Sequence, residues 1–543
     1  MSSKLKRLKN FSGRPGPLLL IILDGVGIGK QDQSDGVFLA KTPCLDELMS
    51  GKLHTTLQAH GKAVGMPTDE DMGNSEVGHN ALGAGRVFDQ GAKLVENSIN
   101  NGTIFKTEIW KQLTDHVKKN NSTFHFIGLL SDGNVHSHVR HLLAMLQQCA
   151  KEDVKKVRIH VLLDGRDVYE KSAVTYLDQT EKILTELKSK FNVDYKIASG
   201  GGRMITTMDR YNADWSIVKR GWDAHILGKA RPFASAKEAV ETYYKEDPKI
   251  NDQYLPSFVV TENGQPVGTI ENGDAVVFFN FRGDRAIELS IAFEAGKEFN
   301  KFDRERVPDV LFAGMMQYDG DLHIPKHFLV NPPRIENAIS VYMCDNGIRA
   351  FAISETQKYG HVTYFWNGNK SGYVCKDLET YVEIPSDKVQ FDKTPKMKAY
   401  EITEKTIELL KSGQYKFGRL NFPNGDMVGH TGVEKAIIES VEHVDICTAK
   451  LIKVINELQG ITVILADHGN SDEMFTVKNG KKIVSTAHSL NPVPFAIVDA
   501  GYKGEYTIAP LVKRGLSNVA ATLLNLLGYE QPKEFDPSLI IFK

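Results

Sequence analysis

Short, nearly unbroken apolar runs recur along the chain, and each stops at a cluster of polar residues. Leu18–Leu23 runs into Asp24-Gly25, Phe124–Leu130 into Ser131-Asp132-Gly133, and Val157–Leu163 into Asp164-Gly165-Arg166-Asp167. Ala275–Phe279 runs into Asn280-Phe281-Arg282, and Ile461–Ala466 into Asp467-His468-Gly469. Such runs are the pattern of strands buried on both faces of a parallel sheet. Between them, Ala173–Phe191 and Lys435–Leu458 carry helical periodicity. Alternating strands and helices predict an α/β architecture, and open α/β sheets gather their ligands at the carboxyl ends of strands. Two stretches read as connectors, Arg86–Lys93 and the proline-containing Gly320–Arg334.

Composition narrows the function classes. The chain has 543 residues, with 66 Lys plus Arg against 68 Asp plus Glu, a formal net charge of −2. That balance favours neither nucleic acid nor an anionic membrane as a partner. No apolar run approaches the roughly 20 residues that span a bilayer. Met1–Arg14 carries five basic residues and no acid, lacks the apolar core of a signal peptide, and reads as a frayed basic tail. The five cysteines are scattered without a CxxC spacing. This argues against a disulfide framework or a thiolate zinc site, and for small core residues in a reducing compartment. A cytoplasmic monomer acting on a small molecule is the expectation.

Candidate chemistry begins with Asp467-His468, adjacent side chains at a strand end. A carboxylate with an imidazole suits manganese, zinc, cobalt or iron. Asp426 and His430 are four apart and share a face if their segment is helical. Taken singly, the first is an ordinary turn, the second incidental, and a lone histidine such as His488 a satisfied core residue. Asp24 and Ser75 complete a set of three Asp, three His and one Ser, enough for two divalent ions that share a hydroxyl. A metal-bound serine becomes a nucleophile, and the Gly73-Asn74-Ser75 turn would place it at a helix N-terminus suited to phosphate.

The blocks Leu23-Asp24-Gly25, Gly73-Asn74-Ser75-Glu76-Val77-Gly78-His79, Asp426-Met-Val-Gly-His430-Thr431-Gly432, Ala466-Asp467-His468-Gly469-Asn470 and Thr486-Ala487-His488 resemble the cofactor-independent phosphoglycerate mutases of the alkaline-phosphatase superfamily. The similarity runs from about Leu18 to about Leu527, in the family's order and spacing. It implies one ion on Asp24, Ser75, Asp467 and His468, a second on Asp426, His430 and His488, and a phosphoserine at Ser75. Manganese is the expected metal, with cobalt, magnesium or zinc as alternatives, and no 2,3-bisphosphoglycerate is needed. A shared site also dictates topology. Residues 1–88 and 333–543 would form one discontinuous metal domain with a mainly parallel sheet, and 89–332 an inserted α/β substrate domain.

The middle segment has its own cluster: His136, Arg166, Asp167, Arg203, Arg210, Arg282 and Arg285. Guanidinium groups at strand ends suit a phosphate and a carboxylate, each bound bidentately. The family resemblance implies that these residues hold the substrate, joined by Lys358 from the other domain. Asp167 is the candidate acid/base, although a pairing with Arg166 would lower its pKa. Local departures from the family pattern are Gly283, Gly425, a longer Arg203–Arg210 spacing and the charged Tyr243–Asp247 stretch, read as a loop insertion typical of the plant or trypanosomatid branch. The reaction implied is interconversion of 3- and 2-phosphoglycerate, with glycerate turning over in place while closing domains exclude water. Rivals are a phosphatase or sulfatase, which would not need the arginines, a phosphopentomutase, whose nucleophile is threonine, and a binding protein, which would not need seven ligands.

Overall fold

The computed structural model describes residues 4–66, 69–89, 91–210, 213–319, 323–331, 335–478 and 481–543. Parts of both expected connectors, residue 90 and residues 320–322 and 332–334, lie outside the described residues. The chain divides into two compact units, residues 1–90 with 334–543, and residues 91–333.

Among the described residues the first unit is built on a seven-stranded sheet. At its centre lies Leu18–Leu23, all six residues buried, with Phe417–Phe422 on one side and Ile461–Leu465 on the other, both parallel to it. Burying each such Leu or Ile contributes about 1.5–3 kcal/mol, so the polar residues that follow are set by strands that cannot slip. Ala350–Glu355 and Glu379–Ile384 extend the parallel set, whereas Val493–Asp499 joins antiparallel and carries His54–Leu57 at the edge.

The second unit has a nine-stranded sheet among the described residues. Ala275–Phe278, Phe124–Leu129, Lys156–Leu163 and Asp194–Gly202 lie side by side and parallel. The sequence-predicted helices occur at Ala173–Phe191 and Glu434–Glu457.

Three expectations need correction. The N-terminal stretch is docked rather than frayed. Phe11 is 6% exposed, its ring 5.7 Å from Tyr506 and 5.3 Å from Phe542, and Arg14 pairs with Asp499 at 2.8 Å and Glu505 at 2.9 Å. The basic residues mask one aromatic anchor and a pair of remote carboxylates that the local pattern does not reveal. Cys344 and Cys375 are joined as a disulfide, with Cα atoms 6.1 Å apart, and Cys44, Cys149 and Cys447 are free. Tertiary apposition makes that pair, since 31 residues separate the two in sequence. Tyr243–Glu246 form the last turn of a helix, Ala236–Glu246, with Tyr243 buried on its inner face. Among the described residues no helix is long and apolar enough to cross a membrane.

Candidate active site

In the first unit Asp24, Ser75, Asp426, Asp467 and His468 lie at or near a strand's carboxyl end or a helix start, whereas His430 follows a short helix and His488 lies in the loop before Val493–Asp499. Asp24 directly follows Leu18–Leu23, and Asp467-His468 follows Ile461–Leu465. Asp426 and His430 lie on and just after the short helix Asn424–Gly429, reached from Phe417–Phe422. Ser75 opens the helix Ser75–Ala84, whose N-cap Asn74 accepts from Val77 N at 3.0 Å. Gly73 cannot carry a side chain, because a Cβ there would lie 1.9 Å from the Ala59 carbonyl oxygen. This close backbone approach seats the Ser75 turn.

Two clusters of ligand atoms result. Asp426, His430 and His488 form one group and Asp24, Asp467 and His468 the other, with ligand atoms within 4.8 Å of one another in each. All six side chains are buried. Ser75 Oγ donates to Asp24 Oδ1 at 3.2 Å and lies 2.9 Å from His468 Nε2. Lys358, on the helix after Ala350–Glu355, donates from Nζ to Asp24 Oδ1 at 2.9 Å, to Asp426 Oδ2 at 2.7 Å and to Ser75 Oγ.

The three imidazoles share one arrangement. His430 Nδ1 donates to the Thr486 carbonyl at 2.6 Å, His488 Nδ1 to Gly73 at 2.7 Å and His468 Nδ1 to Gly469 at 3.2 Å. A carbonyl only accepts, so each ring turns the lone pair of its Nε2 inward. Histidines oriented in this way by a backbone carbonyl are the usual form of metal ligands. Among the described residues the carboxylate oxygens of Asp467 are buried, with His79 Nδ1 3.3 Å from Oδ2. The cluster favours positive charge: burial alone would lower the pKa of His468, but Asp467, Asp24 and Asp426 outweigh it and raise it to about 9. Asp426 is held well below the usual carboxylate range, against burial, by His430 and Lys358. The donor set therefore fits divalent cations.

In the second unit the predicted arginines converge at strand ends in the same way. Arg203 Nη1 donates to Asp164 Oδ1 at 2.8 Å and to Asp167. Asp284 faces Arg282 at 3.0 Å, Arg210 at 3.3 Å and His136 at 3.7 Å. Arg285 is 3% exposed and its pKa is pushed well down by burial and by the charges of Arg210, Arg166 and Arg203. Arg203 Nε is buried without a hydrogen-bond partner among the described residues. Guanidinium groups crowded in this way suit an anion.

Sequence and structure comparisons agree on the relatives. A family model described as the N-terminus of BPG-independent PGAM matches residues 95–320. A Leptospira interrogans protein named as a probable 2,3-bisphosphoglycerate-independent phosphoglycerate mutase is 53% identical over 99% of both chains. A Trypanosoma brucei brucei 2,3-bisphosphoglycerate-independent phosphoglycerate mutase is 50% identical over 96% of this chain and 97% of its own. This chain belongs to that family. It is an isomerase family by name, and the crystal structure of Leishmania mexicana phosphoglycerate mutase at low cobalt concentration superposes with a TM-score of 0.97 at 50% identity, over 99% of this chain and 100% of that one.

Several residues of this family site escaped the sequence reading. Asn421 donates to Asp24 Oδ2 at 2.7 Å and Asn470 to Asp426 Oδ1 at 3.1 Å. His79 Nδ1 lies 3.3 Å from Asp467 Oδ2. Asn470 and His79 stand inside quoted motif blocks, four residues or fewer from a ligand, which was the available signal. Asp164 and Asp284 were hidden for a different reason: only the fold shows that an acid sits among the arginines. Asp167 pairs with Arg203, and its charge together with burial pushes Asp164 up.

Proposed function

We propose that the chain interconverts 3-phosphoglycerate and 2-phosphoglycerate without 2,3-bisphosphoglycerate, through a phosphoserine on Ser75. The observation that carries this reading is the setting of Ser75. Its hydroxyl stands among two buried Asp/His clusters and beside Lys358, while a separate buried cluster of arginines offers an anion site. A hydrolase has no use for the second feature.

On this reading Asp24, Ser75, Asp467 and His468 hold one divalent ion, and Asp426, His430 and His488 hold the other. Manganese suits this mixed oxygen and nitrogen set, and cobalt, zinc or magnesium are the alternatives. Bound metal supplies Lewis acidity that lowers the serine pKa and neutralises charge on the phosphoryl group. Ser75 Oγ attacks phosphorus in line, and the bond to the glycerate oxygen breaks. Lys358 places positive charge at the attacking oxygen. Arg203, Arg210, Arg282, Arg285, Arg166 and His136 keep the freed glycerate, so that its other hydroxyl can take the phosphoryl group back. Asp167 moves the proton between the two glycerate oxygens. Asp164, raised by burial and by Asp167, keeps a second carboxyl beside Arg203, which suits a proton shared between the pair. A cytoplasmic monomer acting on this small molecule remains the accompanying reading.

The test is mutase activity of the purified chain with no 2,3-bisphosphoglycerate added, before and after chelation. Activity only as a phosphatase on generic esters would overturn the proposal.

A further inference from the structure

The second unit holds a hydrogen-bonded chain of buried side chains that the proposed reaction does not use. It starts at Asp274, whose carboxylate accepts from Thr123 N and Glu271 N at 2.8 Å each and from His125 Nε2 at 3.0 Å. His125 Nδ1 lies 2.9 Å from His160 Nε2, and His160 Nδ1 lies 2.6 Å from Ser199 Oγ. Ser199 Oγ lies 2.7 Å from His225 Nδ1, and His225 Nε2 lies 3.0 Å from Thr207 Oγ1. Each of these six residues is at most 4% exposed. The chain crosses three adjacent strands, Phe124–Leu129, Lys156–Leu163 and Asp194–Gly202, and ends beyond them at a helix and a turn. A bulge at Ala198 shifts the register so that Ser199, not its neighbour, faces His160.

The chemistry gives the chain a direction. An ionised Asp274 only accepts, so His125 donates from Nε2 and its Nδ1 accepts from His160 Nε2–H. His160 Nδ1 then accepts the Ser199 hydroxyl proton, Ser199 Oγ accepts from His225 Nδ1–H, and His225 Nε2 accepts from the Thr207 hydroxyl. Every imidazole is neutral with one donor and one acceptor used. Burial is the main cause that lowers the pKa of all three, and that of His225 falls to about 3.

The end of the chain is where it meets function. Thr207 has φ +71°, a left-handed conformation that is strained for a β-branched residue. The helix Trp215–His225 presses Gly221 against it, where a Cβ would lie 2.0 Å from Thr207 Oγ1. The next residue, Met208, offers its carbonyl to Arg285 Nη1 at 2.7 Å, and Arg210 follows two residues on, facing Asp284.

We propose that the buried chain from Asp274 to Thr207 is a positioning device for the substrate: it locks the left-handed Thr207 turn and so aims the Met208 carbonyl that orients Arg285. This rests on the arginine cluster being the substrate's anion site. Thr207 and the three histidines are positioning residues and do not touch the reacting atoms.

The experiment compares Thr207→Val, which keeps shape but loses the hydroxyl, with Thr207→Ser, which keeps it. Thr207→Val is expected to raise KM for 3-phosphoglycerate about ten- to a hundredfold, the range for a misaligned hydrogen bond to charge, with a smaller change in kcat. Thr207→Ser should restore KM, and Thr207→Gly, which adopts the turn without strain, should lie closer to the native protein than Thr207→Val. A lowered thermal midpoint for Thr207→Val with KM unchanged means a structural role only and overturns the proposal. A readout independent of activity is the nitrogen NMR of histidine in the native protein. His125 and His160 should carry the proton on Nε2 and His225 on Nδ1. The opposite tautomer at His225 overturns the chain, whether or not Thr207→Val folds. Native protein without mutase activity but with these tautomers would instead overturn the functional reading on which the proposal rests.

Discussion

His430 and His488 face each other through their Nε2 atoms, 3.2 Å apart, while each Nδ1 is committed to a backbone carbonyl. Two lone pairs at that distance repel unless a cation lies between them, and Asp426 Oδ1 adds a carboxylate 2.8 Å from His430 and 3.2 Å from His488. Chelation should therefore abolish mutase activity and lower the thermal midpoint. Restored metal at a thousandfold above its Kd should return about 4 kcal/mol of stability. His430→Ala should reduce bound metal from two ions per chain to one by elemental analysis. Two ions retained by that variant would remove His430 from the ligand set.

Ser75→Ala should stop turnover while both metal clusters keep their other six ligands. Removing the nucleophile of a covalent mechanism costs on the order of 10³-fold or more in rate. Quenched native enzyme should yield phosphopeptide at Ser75. Phosphate recovered on another residue, or activity in Ser75→Ala within tenfold of native, would contradict the phosphoserine route.

Glu355 predicts a pH dependence of stability outside the metal site. It is 2% exposed, and burial raises its pKa from 4.5 to about 7. The folded form thus binds the proton more tightly than the unfolded one. The resulting stability is complete below pH 4.5 and is lost as pH rises through 7. Glu355→Gln removes that loss, so the stability difference between variant and native protein should shift in the variant's favour by about 3 kcal/mol between pH 4.5 and 8. Parallel denaturant curves at the two pH values, at equal metal, would show this. A constant difference would place the Glu355 carboxyl near its ordinary pKa.

Phe11→Ala tests the docked N-terminus. The ring sits between Tyr506 and Phe542 and is 6% exposed. Its loss should cost about 3 kcal/mol and open the first residues to proteolysis. A frayed tail would leave both stability and cleavage unchanged.

Much of the fold and site was legible because parallel strands buried on both faces must be apolar throughout. Leu18–Leu23, with all six residues buried, is bounded by its own chemistry, and the polar residue that follows, Asp24, lies at the carboxyl end of the central strand, where ligands collect. The same local logic located Asp467, Arg203 and the helix start at Ser75, because strand ends and N-caps are properties of neighbouring residues. Pairings between distant residues are not. Nothing in residues 1–14 marks Asp499 as the partner of Arg14, and nothing near Cys344 marks Cys375, since each meeting is made by packing. The chain from Asp274 to Thr207 is the extreme case. Its members are 8 to 49 residues from their nearest fellows in sequence, and each alone reads as an ordinary buried polar side chain. Strand order, one bulge and a left-handed turn place them end to end. Those are decided by the whole sheet closing around its core, where an unpaired polar group is costly and hydrogen bonding must be completed across strands.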